Sequence, residues 1–394
     1  MKYIPRHIEK VIGESSKTFK VIFLGGPRQA GKTTVLKKLA EKRKIGYITL
    51  DDLNQRTLAK NDPILFLQQI KTPVVIDEVQ YAPEIFPQIK KIVDESSTNG
   101  QFWLTGSQQF SLIKNIQESL AGRVAILNIL GLSRREKHFK SITAKITEEP
   151  NLDLLFEEIF EGSYPIFQSK DAPDRDIYFN SYIQTYLDRD LVDLFGITKT
   201  AEFNRFLQVC ASRSGQVLNM SDLARDSGVS VTTASQWLTI LEGTSQIYLL
   251  KPYYPNIAKR IIKAPKLYFL DTGLASYLTR WNTKENLQAG SMAGAMFETY
   301  IVGEMIKKYI NIGKTPPLFY LRDKEGHEVD LLIEDNGLNL VEVKLTAGIN
   351  ANQYKSLDYF ASKSQKVKTK ALVSLINKTV VVGGGVKYIP YTSI

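Results

Sequence analysis

The sequence predicts an α/β protein that opens with a parallel sheet covered by helices and continues into a helical region and a second α/β unit. Three observations carry this. An apolar strand runs into a glycine-rich turn and a helix at Val21 to Thr34. A second apolar strand, TPVVIDEVQ at Thr72 to Gln80, ends in two acids. Strand-like and helical patterns then alternate to about Ser141.

The first strand leads into GGPRQAGKTT, where Gly26 and Gly31 bracket four residues and precede Lys32 and Thr33. This satisfies the phosphate-loop pattern with a strand before and a helix after. Gly26, Pro27, Arg28, Gln29, Ala30, Gly31, Lys32, Thr33 and Thr34 are the expected ATP-binding residues. The glycines let backbone N–H groups turn toward a phosphate, Lys32 brings charge to the β/γ oxygens, and Thr33 offers a hydroxyl to Mg²⁺.

In the second strand Asp77 is placed to hold Mg²⁺ and Glu78 to orient or deprotonate an attacking water. A third strand, QFWLTGSQQF, ends in small polar residues, and Ser107 is expected as a γ-phosphate sensor. Arg123 follows a helical stretch and precedes another apolar strand. It reads equally as a helix-end arginine favoured by the helix dipole and as an arginine finger.

The segments GPRQAGKTT, VVIDEVQ, LTGSQQF and SLAGR followed by LGLSRRE resemble the AAA-type ATPases of bacteria and archaea that carry a C-terminal domain long described only as of unknown function. The resemblance continues through YIQTYLDRDL, KAPKLYFLDTGLASYL, GHEVDLLIE and LVEVKL, and so covers nearly the whole chain. It implies an AAA-type P-loop core at residues 1–141, a helical lid or linker region at 151–206, a winged-helix domain at 207–280 and a restriction-endonuclease-like domain at 290–394. It also implies a homo-oligomer, a ring such as a hexamer, with Arg123 acting on a neighbour's nucleotide.

Composition is ordinary for a globular protein of 394 residues, with 43% hydrophobic and 23% charged residues. There is no N-terminal block like a signal peptide and no apolar run near the roughly 20 residues that span a bilayer. A cytoplasmic location with no membrane partner is therefore expected. One cysteine excludes an intrachain disulfide, and one cysteine with three scattered histidines makes no usual zinc site.

The net charge is +10, and its distribution points to a polyanion. Lys251, Lys259, Arg260, Lys263 and Lys266 occur with no acid among them, and a second lysine-rich run spans Tyr354 to Lys370. Ahead of the first run, MSDLARDSGVSVTTASQWLTILEG has the form of a helix-turn-helix that offers Thr232, Thr233, Ser235 and Gln236 outward, with a β-wing after it. DNA is the expected partner. Tyr178, Tyr182 and Tyr186, spaced for one helix face, read as core.

In the last region the order of helix and strands resembles PD-(D/E)-x-K nucleases. Glu342 and Lys344 share one strand face, Asp330 lies on the strand before, and Glu298 comes from the preceding helix. Two carboxylates would bind a divalent ion and the lysine would stabilise developing phosphate charge. The reading is an ATP-hydrolysing protein that binds and remodels DNA, at branched or processed ends. The alternatives are an ATP-gated Mg²⁺-dependent endonuclease and an ATP-dependent signalling or defence switch that binds a protein.

Overall fold

The computed structural model describes residues 3–106, 116, 118–143, 148–185, 199–254 and 263–394. In the first part, five parallel strands lie in the order β2-β3-β4-β1-β5. They are β1 (Val21–Gly25), β2 (Gly46–Thr49), β3 (Val74–Asp77), β4 (Phe102–Thr105) and β5 (Val124–Asn128). Every residue of β1, β3 and β4 is buried. Helices cover both faces of these central strands, which is why they read as unbroken apolar runs. Val21 and Phe23 join Val74, Ile76 and Phe86 on one face. Ile22 and Leu24 join Ile8, Val35 and Leu36 on the other. Each such side chain contributes about 1.5–3 kcal/mol on burial. The register pairs Leu24 with Thr105 and Ile76 with Leu104, so the chain leaves β1, β3 and β4 at one sheet edge.

Beyond residue 150 the helices Leu152–Glu161, Arg175–Thr185, Thr200–Ser212, Met220–Ser227 and Val231–Gly243 surround a small antiparallel sheet of order β6-β8-β7. Its strands are β6 (Gln216–Val217), β7 (Ile247–Leu250) and β8 (Lys266–Phe269). Asn219 and Ser230 cap the helix pair 220–227 and 231–243, with Gly228 left-handed between them. Tyr182 is buried against Tyr164, and Tyr178 packs beside both, as a core stripe should. Tyr186 lies outside the described residues.

A mixed six-stranded sheet completes the fold, in the order β13-β14-β12-β11-β10-β9. It comprises β9 (Leu318–Arg322), β10 (Glu328–Glu334), β11 (Leu338–Val343), β12 (Val367–Ser374), β13 (Val380–Val381) and β14 (Lys387–Pro390). Helix Ala293–Ile310 supplies Val302, Met305 and Ile306 against Leu331, and helix Lys355–Ser362 sets Leu357 against Leu332 and Leu340. The register of β10 against β9 slips between Val329 and Leu332, a bulge that re-aims the residues around Asp330. One apolar core runs from Leu155 and Phe156 through Phe206 and Trp237 to Phe297, Val343 and Tyr391, so the expected divisions near residues 206 and 290 cut through shared packing. Among the described residues, no helix is long and apolar enough to cross a membrane.

The first part joins the rest through a tight backbone contact. The Leu132 N–H donates to Ser163 O at 2.7 Å, and a Cβ added at Gly131 would stand 2.0 Å from Ser163 Oγ. Ser163 in turn donates from N and Oγ to Asp271 Oδ2, each at 2.7 Å. Gly131→Ala should therefore cost about 1–3 kcal/mol, as overpacking does. Gly294→Ala, on an open helix surface where an added Cβ meets nothing within 4 Å, should be neutral or stabilising. Urea unfolding midpoints of the two variants check the pair.

Candidate functional site

The phosphate loop starts where β1 ends. Gly26 has φ +149, and a Cβ there would lie 2.1 Å from Ile129 O, so any other residue would push β5's continuation away. Gly31 at φ +95 turns the chain into helix Lys32–Arg43, whose N-terminal N–H groups receive no side-chain cap from it. An uncapped helix start offers donors and positive potential to an anion. Lys32 is 5% exposed and its Nζ donates to Gly26 O at 3.0 Å and Pro27 O at 2.8 Å, which spans the loop with its charge.

Two hard oxygen donors face each other beside it. Thr33 Oγ1 donates to Asp77 Oδ1 at 3.2 Å, and Asp77, at the end of β3, is 2% exposed. A hydroxyl and a carboxylate so placed fit Mg²⁺, which prefers a few protein oxygens and keeps several waters. Asp77 Oδ2 accepts from Tyr47 Oη at 2.7 Å. Glu78 has a left-handed backbone, φ 58, and Gln80 Nε2 donates to its Oε2. Burial pushes the Glu78 carboxyl above the usual carboxylate range, against the opposing pull of Gln80 and Lys32.

A cavity of about 360 Å³ is lined by Gln29, Lys32, Thr33 and Glu78, together with Pro165 and Ile166 from beyond the first sheet. Next to it lies a more apolar cavity of about 280 Å³, which shares Gly31, Thr34 and Pro165 and adds Tyr3, Ile4 and Val35. Tyr47, Gln80, Pro165 and Ile166 escaped sequence reasoning. Tyr47 sits in the YITLDD strand next to a polar strand end; Pro165 and Ile166 carry no local signal. Ser107 lies outside the described residues. Arg123 precedes β5 at Val124, which pairs with Val21, so it stands at the opposite sheet edge from the loop, ion-paired with Asp94.

The second constellation gathers all four acids and bases expected of it. Lys344 Nζ lies 2.7 Å from Glu342 Oε1 and 3.5 Å from Asp330 Oδ2, while the Val343 N–H donates to Asp330 Oδ2 at 2.9 Å. Glu298 Oε1 accepts from Tyr268 Oη at 2.6 Å and from Lys266 Nζ at 3.1 Å. Lys266 also lies 2.5 Å from Glu328 Oε1 and 3.6 Å from Asp330 Oδ1. Burial, reinforced by Asp330, raises Glu298 to about 7 and Glu342 to about 8. Among the described residues, Glu342 Oε2 is buried and finds no hydrogen-bond partner.

Lys266 is a correction. Its place in a basic run marks it for a nucleic-acid backbone, yet it is 2% exposed and its charge is spent on three carboxylates. Burial works against the ammonium, but Glu298, Asp330 and Glu328 outweigh it and hold the pKa above the ordinary lysine range. Lys251 and Lys263 are exposed, and Lys259 and Arg260 lie outside the described residues. Sequence reasoning also missed Tyr268 and Glu328, which reach the cluster only through the pairing of distant strands. Among the described residues, the acids and histidine whose donor atoms all lie within 4.8 Å of one another are Asp323, Glu325 and His327 in the β9–β10 turn. In the buried cluster, lysines stand between the acids.

The raised carboxyls set a sign for stability against pH. From about pH 4.5 to 8 the folded state keeps protons on Glu298 and Glu342 that the unfolded chain has released, so through these groups stability falls as pH rises across that window. Glu342→Gln removes one of them. Its urea midpoint should improve relative to wild type between pH 5.5 and pH 8.5; an unchanging gap would mean that the carboxyl is already ionised at pH 5.5.

Comparison with known proteins places these features. Residues 18–138 match the AAA domain family, 152–285 a domain of unknown function, DUF8612, and 293–394 another, DUF4143. Over 318 residues the chain is 30% identical to the uncharacterized protein Rv2008c of Mycobacterium tuberculosis, covering 80% of this chain and 68% of that one. The uncharacterized protein Mb2031c of Mycobacterium bovis matches to the same extent. Among solved structures the chain is similar to the Walker-type ATPase paby2304 of Pyrococcus abyssi, at 14% identity and a TM-score of 0.43, over 69% of this chain and 94% of that one. The chain belongs to the family of the two mycobacterial proteins, as an AAA-type ATPase whose residues 293–394 form a DUF4143 domain.

Proposed function

We propose that this ATPase binds DNA and remodels it, working as a homo-oligomer. At the nucleotide, Lys32 meets the β/γ oxygens, Glu78 takes a proton from the attacking water, and Ser107, from its place after β4, senses the γ-phosphate. Thr33 and Asp77 would hold Mg²⁺, which neutralises phosphate charge when bound. The apolar cavity beside the loop suits the base. Arg123 stands at the far edge of its own sheet, so the nucleotide it serves is that of a neighbouring subunit. The DUF8612 region is read as a lid and winged helix, and the DUF4143 domain as a nuclease-like fold.

What supports DNA as the partner is one arrangement. Helix Val231–Gly243 follows a left-handed Gly228 and turns Thr232, Ser235, Gln236 and Thr239 to solvent, and Lys251, just after β7, and Lys263, shortly before β8, are exposed. A helix with a polar outer row serves groove contact, and lysines on a wing serve phosphates. A second reading, an ATP-gated endonuclease, draws support from the unpartnered Glu342 oxygen beside Asp330 and Lys344. A divalent ion would satisfy that oxygen. Cleavage would then require Mg²⁺ or Mn²⁺ and vanish in Asp330→Asn while ATP hydrolysis continues.

The ATPase assignments carry three expected outcomes. Glu78→Gln should keep nucleotide affinity but slow turnover by about 10²-fold or more. Wild-type hydrolysis should fall on acidification through a pKa above the ordinary carboxylate range, because only ionised Glu78 accepts the proton. Arg123→Ala mixed with Lys32→Ala should regain activity that neither has alone, which steady-state turnover of the mixture measures.

The DNA assignment carries others. Duplex, forked or four-way DNA should stimulate hydrolysis, and log affinity should fall with log salt. Lys251→Ala/Lys263→Ala should flatten that slope by about two units. DNA-insensitive turnover, or an unchanged slope, would remove DNA from the assignment.

A further inference from the structure

We infer that Tyr47 is a positioning residue of the nucleotide site, whose phenol fixes the Asp77 carboxylate so that its other oxygen stays with Thr33 and a divalent cation. The inference rests on the reading of Asp77 and Thr33 as the cation's protein ligands. β2 is an edge strand next to β3, with Thr49 opposite Asp77 and Tyr47 opposite Val75. Residues two apart on a strand share a face, so Tyr47 and Asp77 are diagonal neighbours within reach of a long side chain.

The reach is made. Tyr47 Oη stands 2.7 Å from Asp77 Oδ2 while Thr33 Oγ1 stands 3.2 Å from Oδ1, so the two carboxylate oxygens have separate partners. A carboxylate turns readily about its terminal bond. A single donor on one oxygen removes that freedom. The ring also meets Lys37, whose exposed ammonium lies 4.5 Å from its centroid and comes from the helix that begins at the phosphate loop. Partners that orient a metal ligand in this way typically matter 10- to 100-fold for metal affinity.

Tyr47→Phe removes the hydroxyl and keeps the ring. In the full chain, binding of a fluorescent ATP analogue is titrated in EDTA and at rising Mg²⁺, with Mn²⁺ binding followed by electron paramagnetic resonance. The metal-free affinity should stay as in wild type, which also reports that the site is folded, while the Mg²⁺ concentration for half-maximal tightening rises about tenfold or more. Asp77→Asn separates the two ideas. If it raises the Mg²⁺ requirement and Tyr47→Phe does not, Tyr47 has no positioning role; if Asp77→Asn itself leaves the requirement unchanged, the cation assignment fails first. In the Asp77→Asn background Tyr47→Phe should add nothing, because the two act as one unit. Equal weakening with and without metal would mark Tyr47 as packing only and overturn the inference.

Discussion

The loop edge hangs from one buried ion pair. Arg6 Nε lies 3.2 Å from Glu136 Oε1, with Arg6 5% and Glu136 1% exposed. Burying two charges costs several kcal/mol each unless every remaining donor and acceptor is met. Here backbone meets most of them, while Arg6 Nε faces Glu136 as an ion pair without hydrogen-bond geometry. Arg6 donates to Ala30 O at 2.8 Å in the phosphate loop and to Leu130 O at 2.7 Å, while Glu136 accepts from the N–H groups of His7 and Ser133 at 2.8 and 2.9 Å. Burial works against the Glu136 charge, but Arg6 and these donors outweigh it and hold the carboxyl below its ordinary range. Three separate chain segments must therefore be in place together.

From that knot the connection runs on into the DUF4143 domain. The Arg134 N–H donates to Glu304 Oε2 at 2.8 Å, and Lys307 Nζ donates to Leu132 O at 3.1 Å and Glu304 Oε1 at 3.0 Å. Lysine thus serves two opposite ends in this molecule. Lys32 is held at short range by carbonyl dipoles in a loop shaped for an anion, whereas Lys266 is surrounded by carboxylates that leave nothing for one.

What was legible in the sequence was what local spacing encodes. The phosphate loop and the acid-ended β3 are contiguous, and the period of two on β11 placed Glu342 with Lys344. The structure adds that the β10 bulge and the Val343 N–H bring Asp330 beside them. The fate of Lys266 depends on β8 meeting Glu298 and Glu328, contacts distant in sequence that no window of residues contains. The same is true of Tyr47 against Asp77, and of Pro165 and Ile166, which line a cavity whose chemistry lies in another part of the chain.

The core that runs from Phe156 to Tyr391 has a bearing on inheritance. The boundary between the DUF8612 and DUF4143 regions, near residue 290, marks where sequence similarity changes, but Trp237, Phe297 and Val343 belong to one packed interior on both sides of it. A graft that exchanged only the last hundred or so residues would meet a surface cut to fit another chain, and cavities or clashes there are costly. Natural recombination faces the same barrier. Diversification in this lineage should proceed by drift of facing residues in concert, with the two regions travelling through genomes as a single heritable piece.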